Sequence, residues 1–207
     1  MNASVIQITN GPMKQNCYLV YDDHSALIID PGSEAERIVE QIECHDLQPL
    51  AILNTHAHFD HIGAVEALRL QYDIPFYLHD GDVALMRRAN LYRLIFSGET
   101  SVRVPTEVRS YCNLEATALA PFDVKVIETP GHTEGGVSLL IDDALFTGDT
   151  LMCNGPGRTD LPGGCKPDMA QSLLKYQSLP PYLTIYAGHG RPVSLGTALS
   201  VKSGAEA

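Results

Sequence analysis

The sequence predicts an α/β fold in which strands and helices alternate along the chain. Three observations support this prediction: short apolar runs bounded by Gly, Pro or Asp recur, stretches with a helical spacing of apolar residues lie between them, and hydrophobic residues make up 44% of the composition. Alternation of this kind is typical of helices layered against a sheet. The length of 207 residues fits one domain, and we expect residues 1–207 to form it.

The first part of the chain is predicted to contain five strands and three helices. The strands are expected at residues 4–9, 16–21, 26–30, 50–54 and 75–78. A helix that ends near residue 44 follows the turn sequence DPGS, whose serine, Ser33, is the predicted N-cap. A second helix is predicted at residues 62–72, because apolar residues recur four positions apart from Ala64 to Tyr72, and a third at residues 82–96.

The second part of the chain is less regular at its start. Residues 97–121 are polar and weakly patterned, so a loop or irregular insert is predicted there. Strands are expected again at residues 124–128, 137–141 and 144–146, with Asp142-Asp143 as the hairpin turn between the last two. A short helix at residues 168–176, a strand at residues 183–187 and a tail or weak helix complete the prediction.

The segment THAHFDH, residues 55–61, contains four side chains of the types that bind metal ions: His56, His58, Asp60 and His61. Imidazole nitrogens and carboxylate oxygens are ligands that zinc, iron(II) and manganese accept. The segment joins a predicted strand to a predicted helix, and such a turn lets all four side chains point to one place. A single histidine is more often a surface or core residue, but this density predicts a metal site.

Three further candidate ligands come later in the chain, each after a predicted strand and directly after a glycine. They are His132 in TPGHT, Asp149 in FTGDT and His189 in AGHG. A preceding glycine lets backbone and side chain approach a crowded centre closely. Seven such residues at strand ends are what two adjacent metal ions require, with one carboxylate shared between the ions.

The other histidines lack ligand-type neighbours. His24 lies in a predicted hairpin turn and His45 at a predicted helix end, so both are expected to be structural or to face solvent. His79, in LHDGD, is expected to be structural as well, or to form a hydrogen bond to a metal ligand from behind.

Composition excludes several classes of partner. The formal net charge of −11 argues against nucleic acid, because phosphate binding needs a basic surface. No apolar run is long enough to span a membrane, and the first residues do not resemble a secretory signal. The five cysteines show no CxxC spacing, so we expect free thiols and a cytoplasmic protein. We also expect the protein to be a monomer or a small homo-oligomer.

The order of THAHFDH, TPGHTEGG, FTGDT and AGHG resembles the metallo-β-lactamase superfamily from about Val5 to Val193. The resemblance implies a four-layer αβ/βα sandwich, with two mixed sheets face to face and helices outside. It also implies that His56, His58 and His132 hold one metal ion, that Asp60, His61 and His189 hold a second, and that Asp149 bridges them. Zinc is the expected metal, with iron and manganese as alternatives.

Within the superfamily, the chain is most similar to short, single-domain, glyoxalase II-like hydroxyacylglutathione hydrolases. The similar segments are QNCYLV, LIIDPG, TPGHTEGGVSLL and GPGRTDLPGG. The resemblance implies hydrolysis of a thioester such as S-D-lactoylglutathione by a hydroxide that bridges the metals, with Asp60 and Asp149 as catalytic carboxylates and Asp60 orienting the nucleophile. The chain ends at Ala207, so the C-terminal helical domain that binds glutathione in larger relatives is not expected.

Other reactions remain as alternatives. Persulfide dioxygenases share the same run of ligands but use one iron, which His56, His132 and Asp149 would hold here. Hydrolysis of a lactone or a β-lactam fits the pattern less well, because Asp60 and Asp149 match the glyoxalase-like pattern. A non-enzymatic metal-binding or scaffold protein would be expected to have lost ligands, and none is missing from the sequence.

Arg158 is the candidate substrate-binding residue outside the metal set. It lies in the Gly- and Pro-rich segment GPGRTDLPGG, where a guanidinium could hold a substrate carboxylate in bidentate fashion. The competing interpretation is an internal ion pair with the nearby Asp160. Thr55 and Thr133, each next to a candidate ligand, are expected either to support those ligands or to stabilise turns.

Overall fold

The computed structural model of the chain describes residues 3–98 and 102–201. Its first sheet contains β1 (Ser4–Asn10), β2 (Gln15–Tyr21), β3 (Ser25–Ile29), β4 (Gln48–Leu53), β5 (Phe76–Leu78) and β6 (Arg109–Ser110), which lie side by side in that order. The first three strands pair antiparallel, whereas β3 to β6 run parallel. The carboxyl ends of these parallel strands therefore meet at one edge of the sheet.

The second half of the chain forms the second sheet. The strands in this half of the chain are β7 (Val124–Glu128), β8 (Val137–Ile141), β9 (Ala144–Gly148), β10 (Leu151–Met152), β11 (Gly155–Pro156), β12 (Thr184–Ala187) and β13 (Val193–Ser194). Five of them lie in the order β13-β12-β9-β8-β7, and β10 pairs with β11 as a separate ribbon. Within the sheet, β9 and β12 run parallel to one another.

Helices cover the outer faces of both sheets. They are α1 (Ala35–Cys44), α2 (Phe59–Ile62), α3 (Val65–Tyr72), α4 (Val83–Arg87), α5 (Ala89–Ser97), α6 (Lys166–Gln177) and α7 (Leu195–Ser200). Successive side chains of a strand point to opposite faces, so each sheet has an outer and an inner face. Cys17 and Leu19 of β2 lie in one buried cluster with Ile38 of α1 and Leu68 of α3.

The inner faces of the two sheets pack against each other. Tyr18 and Val20, which alternate with Cys17 and Leu19 along β2, lie in a second cluster that includes Leu139 of β8 and Phe146 of β9. The rings of Tyr18 and Phe146 meet edge to face, with 5.3 Å between their centroids. Such an aromatic contact adds about 0.5–1.5 kcal/mol to the burial of the two rings.

A third buried cluster lies between the second sheet and the helices on its outer face. Leu145 of β9 and Ile185 of β12 point outward and pack with Tyr176 of α6 and Leu195 of α7. The layers are thus helix, sheet, sheet and helix, which confirms the predicted α/β class and the four-layer αβ/βα sandwich.

Three predicted helix features are wrong in detail. Ser33 is not an N-cap: α1 is preceded by Glu34, whose φ is 51° and whose carboxylate accepts a hydrogen bond from the Gly11 backbone N–H at 2.9 Å. The predicted helix 62–72 is not continuous: Ile62 is the last residue of α2, α3 begins at Val65, and Gly63 and Ala64 lie between them. The predicted helix 82–96 is likewise divided, at Arg88.

The predicted loop at residues 97–121 contains structure that its pattern did not indicate. β6 pairs in parallel with β5, and Tyr111 follows it and donates a hydrogen bond to the Asn54 carbonyl at 2.9 Å. A two-residue strand is too short to show an alternating pattern, and Arg109 and Ser110 are polar. Residues 99–101 of the predicted loop lie outside the described part of the chain. Across residues 3–98 and 102–201, no helix has the length and apolar character that crossing a membrane requires.

Candidate metal centre

The candidate ligands follow strand ends at one edge of the sandwich. The THAHFDH segment comes after β4 of the first sheet, while His132, Asp149 and His189 come after β7, β9 and β12 of the second. Among these predicted ligands, two separate sets of three residues have ligand atoms within 4.8 Å of one another: His56, His58 and His132, and Asp60, His61 and His189. We call these sets the first and second triad. Each triad draws residues from both sheets.

Asp149 lies between the two triads. One of its carboxylate oxygens is 3.5 Å from Nε2 of His132 in the first triad and 3.6 Å from Nε2 of His189 in the second. The other oxygen is 3.7 Å from Nε2 of His61. A carboxylate in this position can serve two cations at once, so the structure brings all seven predicted residues into one site.

Hydrogen bonds on the far side of three imidazole rings fix which nitrogen faces the site. His132 Nδ1 lies 2.8 Å from the backbone carbonyl of Arg158, which can only accept, so Nδ1 carries the hydrogen. His61 Nδ1 lies 3.1 Å from the carboxylate of Asp30, which accepts in the same way. In the neutral form of both rings Nε2 therefore has the lone pair, and it faces the other ligands.

The ring of His56 is oriented through a hydroxyl. Thr55 Oγ1 donates to Asp30 at 2.6 Å, because the carboxylate can only accept. That leaves the Thr55 oxygen to accept from Nδ1 of His56, 3.1 Å away. Nε2 of His56 therefore also carries a lone pair, and the structure places Thr55 in the supporting role that its position suggested.

The donor atoms of this site fit cations. In the described part of the chain, the buried polar atoms without a hydrogen-bond partner include Nε2 of His56, His58 and His61 and one oxygen of Asp149. A buried acceptor without a partner costs about 1–3 kcal/mol. The unpartnered atoms of His56, His61 and Asp149 are explained if the protein binds metal ions there, since imidazole and carboxylate are ligands for zinc, iron and manganese. His58 directs its other nitrogen, Nδ1, to the first triad, 2.9 Å from Nε2 of His132.

The two triads differ in the charge of their surroundings. Burial lowers the pKa of His58 to about 4 and holds that of His56 well below its usual value, so both rings are neutral. Burial would also lower the pKa of His61, but the carboxylates of Asp60, Asp149 and Asp30 raise it to about 9. Burial alone would raise the pKa of Asp60, yet His61 and His189 hold it below its usual range. The second triad thus lies in a field of negative charge that favours a cation.

Two aspartates support the site although the sequence analysis did not single them out. Asp30 accepts from the Thr55 backbone N–H at 2.7 Å as well as from the Thr55 hydroxyl and the His61 ring. Asp30, His56 and His61 also form a group of ligand-type atoms within 4.8 Å. Because the oxygens of Asp30 are already engaged, we assign it to positioning. Its place at the end of β3, at the same edge as the ligands, was the signal that could have identified it.

Asp82 joins the two ligand loops. It is fully buried and accepts hydrogen bonds from the Ala57 N–H at 2.9 Å, the Thr133 hydroxyl at 2.9 Å and the Gly135 N–H at 2.7 Å. Burial raises the pKa of its carboxyl, and these three donors limit the rise. Ala57 lies between two first-triad histidines and Thr133 follows the third, so Asp82 fixes the loops relative to each other.

The glycines before the ligands allow the close approach that the sequence predicts. Gly148 has a φ of 50°, and a side chain there would collide with Thr55 Oγ1. A side chain on Gly188 would collide with Asp149 and His61. Both positions therefore exclude any residue with a Cβ unless the ligands move.

A cleft of about 540 Å³ opens beside the triads, and Arg158 lines it. The Arg158 guanidinium forms a bidentate pair with Asp160, at 2.7 and 2.6 Å, and both side chains are exposed. The structure therefore contains the ion pair that competes with substrate binding at this residue. The suggestion that His79 supports a ligand is wrong: its Nδ1 accepts from Gly81 at 3.2 Å, and its Nε2 lies 3.6 Å from Glu128.

A sequence model of the Metallo-beta-lactamase superfamily matches residues 10–189, and the chain belongs to this superfamily. With its cluster of histidines and aspartates it is a metal-binding enzyme of the metallo-hydrolase class. The chain is 38% identical to the probable metallo-hydrolase YqgX of Bacillus subtilis (strain 168), over 87% of each chain. It is 33% identical to the hydroxyacylglutathione hydrolase GloC of Haemophilus influenzae, over 95% of this chain and 94% of that protein.

Two solved structures are similar over nearly the whole chain. One is TTHA1623 in a di-iron-bound form, with a TM-score of 0.85, 37% identity and coverage of 95% of this chain and 98% of that chain. The other is the B3 metallo-beta-lactamase BLEG-1, with a TM-score of 0.85, 35% identity and coverage of 94% and 95%. The chain is thus similar both to a protein named a hydroxyacylglutathione hydrolase and to one named a metallo-beta-lactamase.

Proposed function

We propose that this chain is a metal-dependent hydrolase that cleaves a thioester, of the hydroxyacylglutathione hydrolase type. The observation that carries the proposal is the position of Asp149 between two complete triads, which provides for two cations rather than one. The similarity to GloC of Haemophilus influenzae supports the choice of a thioester as the bond that is cleaved. Zinc is the expected cation, while the di-iron form of TTHA1623 makes iron the first alternative.

The chain's own residues have defined parts in such a reaction. Two divalent cations would supply a hydroxide near neutral pH and stabilise the negative charge that develops on the carbonyl oxygen. Asp60 is ionised and lines the cleft, with one oxygen 3.3 Å from His189 Nε2, so it can accept a hydrogen bond from the nucleophile and orient it. A thiolate is a stable leaving group, because thiol pKa values lie near 8.5, so the chain need not supply an acid.

The test is a comparison of three substrates with the same metal-loaded preparation. We expect turnover of S-D-lactoylglutathione, no oxygen uptake with glutathione persulfide, and little hydrolysis of a β-lactam. Replacing Asp60 by Asn should lower kcat at least about 100-fold, whereas Asp143→Asn, which removes an exposed carboxylate from a hairpin turn, should leave it unchanged. Oxygen uptake without thioester cleavage would assign the chain to the dioxygenases, and β-lactam cleavage alone to the lactamases.

A β-lactam is one of the three substrates because the chain is also similar to a metallo-beta-lactamase. The chain is similar to the metallo-beta-lactamase BLEG-1, at 35% identity, as well as to the hydroxyacylglutathione hydrolase GloC, at 33%, so similarity alone does not separate the two activities. Asp60 and Asp149 belong to the pattern on which the thioester proposal depends. A β-lactam rate that exceeds the thioester rate would contradict the proposal.

A further inference from the structure

The cleft beside the triads has two kinds of wall. His58, Asp60, His132, Asp149 and His189 form the wall at which a carbonyl would react. Most of the remaining lining is apolar, and its large side chains are Met13, Phe59, Tyr92, Phe96, Met152 and Leu161. A group bound at the metal centre therefore has an apolar surface directly beside it.

The apolar wall is built partly by one helix. Tyr92 and Phe96 are four residues apart on α5, so their side chains lie on the same face of the helix. Phe96 is 53% exposed and Met13 is 51% exposed, although both are large and apolar. Covering such side chains with an apolar ligand is favourable in proportion to the area removed from water.

Positive charge is scarce in this cleft. Among the described residues that line it, Arg158 is the one lysine or arginine, and its guanidinium is already paired with Asp160. One ion pair can hold one carboxylate of a substrate, so any further carboxylate would face solvent and contribute little to binding in this cleft. The cleft thus offers a large apolar contact and at most one ion pair.

We propose that the cleft selects thioesters that carry an apolar hydrocarbon chain next to the reacting carbonyl, with Phe96 and Met13 as specificity-determining residues. The inference rests on the proposed thioester hydrolysis and names the class of substrate. The hydrocarbon chain of the substrate lies along the part of the wall formed by α5, while the substrate carbonyl faces the triads. Each methylene that the wall covers strengthens binding by up to about fourfold.

Binding can be measured without turnover. S-Methyl- and S-hexyl-N-acetylcysteamine are thioethers that cannot be hydrolysed, and their dissociation constants for the metal-loaded protein are compared by calorimetry. We expect the hexyl compound to bind at least about tenfold more tightly. Phe96→Ala should weaken the hexyl compound at least about threefold and leave the methyl compound unchanged. Ile95→Ala is the matched control, because Ile95 is on the same helix and 61% exposed but does not line the cleft.

Two results of this measurement would overturn the inference. One is a difference of less than about twofold between the methyl and hexyl compounds, since each covered methylene should contribute. The other is an equal loss of affinity in Ile95→Ala and Phe96→Ala, because the effect would then not depend on the cleft wall. Neither result depends on whether the protein hydrolyses thioesters.

Hydrolysis then separates this inference from the proposed function. Two series are compared: thioesters of N-acetylcysteamine with acyl chains from acetyl to octanoyl, and acetyl thioesters of alkanethiols of the same lengths. If kcat/KM rises with length in the first series, the bound hydrocarbon chain is on the acyl side of the thioester. If it rises with length in the second series, the bound hydrocarbon chain is on the sulfur side. Equal hydrolysis throughout both series would refute the inference and leave the proposed function intact. Absence of all thioester hydrolysis would refute the proposed function, while the thioether measurement would still decide whether the wall binds apolar chains.

Discussion

At the scale of single residues, the site depends on hydrogen bonds to the sides of the imidazole rings that face away from the cluster of ligand atoms. Asp30 illustrates this, since its carboxylate accepts from His61 directly and from His56 through Thr55. These bonds fix the ring orientation and leave Nε2 as the metal-binding atom. Partners of this kind commonly contribute a 10- to 100-fold share of metal affinity.

Replacing Asp30 by Asn should therefore weaken metal binding by about 10- to 100-fold, because an amide offers one acceptor oxygen where the carboxylate offers two. The measurement is competition for zinc with a chromophoric chelator. Asp143→Asn removes an exposed carboxylate and should retain the parent affinity. Equal affinities for Asp30→Asn and the parent protein would show that ring orientation does not limit metal binding.

Arg158 permits a second prediction at this scale. Its pair with Asp160 is exposed, so Arg158→Ala should lower the free energy of unfolding by less than about 1 kcal/mol. The backbone carbonyl that orients His132 remains in the variant. If the guanidinium holds a substrate carboxylate, KM for S-D-lactoylglutathione should rise about two- to fivefold, the value expected of one exposed ion pair.

The control for that prediction is Arg87→Ala, which removes an exposed arginine outside the cleft. KM and stability should both stay at the parent values in this variant. A large loss of stability in Arg158→Ala with an unchanged KM would assign Arg158 to the internal ion pair alone.

At the scale of elements, loops from separate strands must be held in register for the triads to form. Asp82 does this between the THAHFDH loop after β4 and the TPGHT loop after β7, by accepting one hydrogen bond from the first loop and two from the second. The glycines at positions 148 and 188 allow the strand ends of the second sheet to approach the same loops.

Asp82→Ala should lower the free energy of unfolding by about 3 kcal/mol, because three buried donors lose their acceptor. Urea denaturation of the metal-free protein measures this loss without a contribution from metal binding. Asp143→Ala removes an exposed carboxylate from the hairpin turn between β8 and β9 and should change stability by less than about 0.5 kcal/mol. Similar values for the two variants would contradict the role of Asp82 as the link between the loops.

How much could be predicted from sequence differs between these elements. The long strands and the clustered ligands carry strong local patterns, and the structure has strands near all the predicted positions. The short strand β6 depends on its pairing with the distant strand β5, which no local pattern contains. Asp30 and Asp82 were missed for the same reason, because each acts through partners 25 or more positions away in sequence.

At the scale of the whole molecule, each triad joins the two sheets. His56, His58, Asp60 and His61 follow a strand of the first sheet, whereas His132 and His189 follow strands of the second. A cation bound to either triad therefore connects the two halves of the sandwich at the edge where they meet. Binding that occurs only in the folded state adds directly to stability.

Metal removal should consequently lower the melting temperature. At a free metal concentration 100 times the dissociation constant, binding contributes about 2.7 kcal/mol. This corresponds to an increase in Tm of about 5–10 °C for a chain of this size. Scanning calorimetry with and without a chelator measures this difference in Tm. The difference should be smaller in His132→Ala, which loses a ligand, and unchanged in His24→Ala, because His24 is exposed in a turn. A chelator that leaves Tm unchanged would show that the cations do not join the sheets.

The two-cation centre is the claim on which the proposed hydrolysis depends, and the number of metal ions per chain tests it most directly. We predict about two ions in the parent protein and about one in His189→Ala, because this variant loses a ligand of the second triad and keeps the first. A mononuclear centre built from His56, His132 and Asp149 would hold about one ion in both proteins. Equal metal content close to one ion per chain in the parent and the variant would contradict the account.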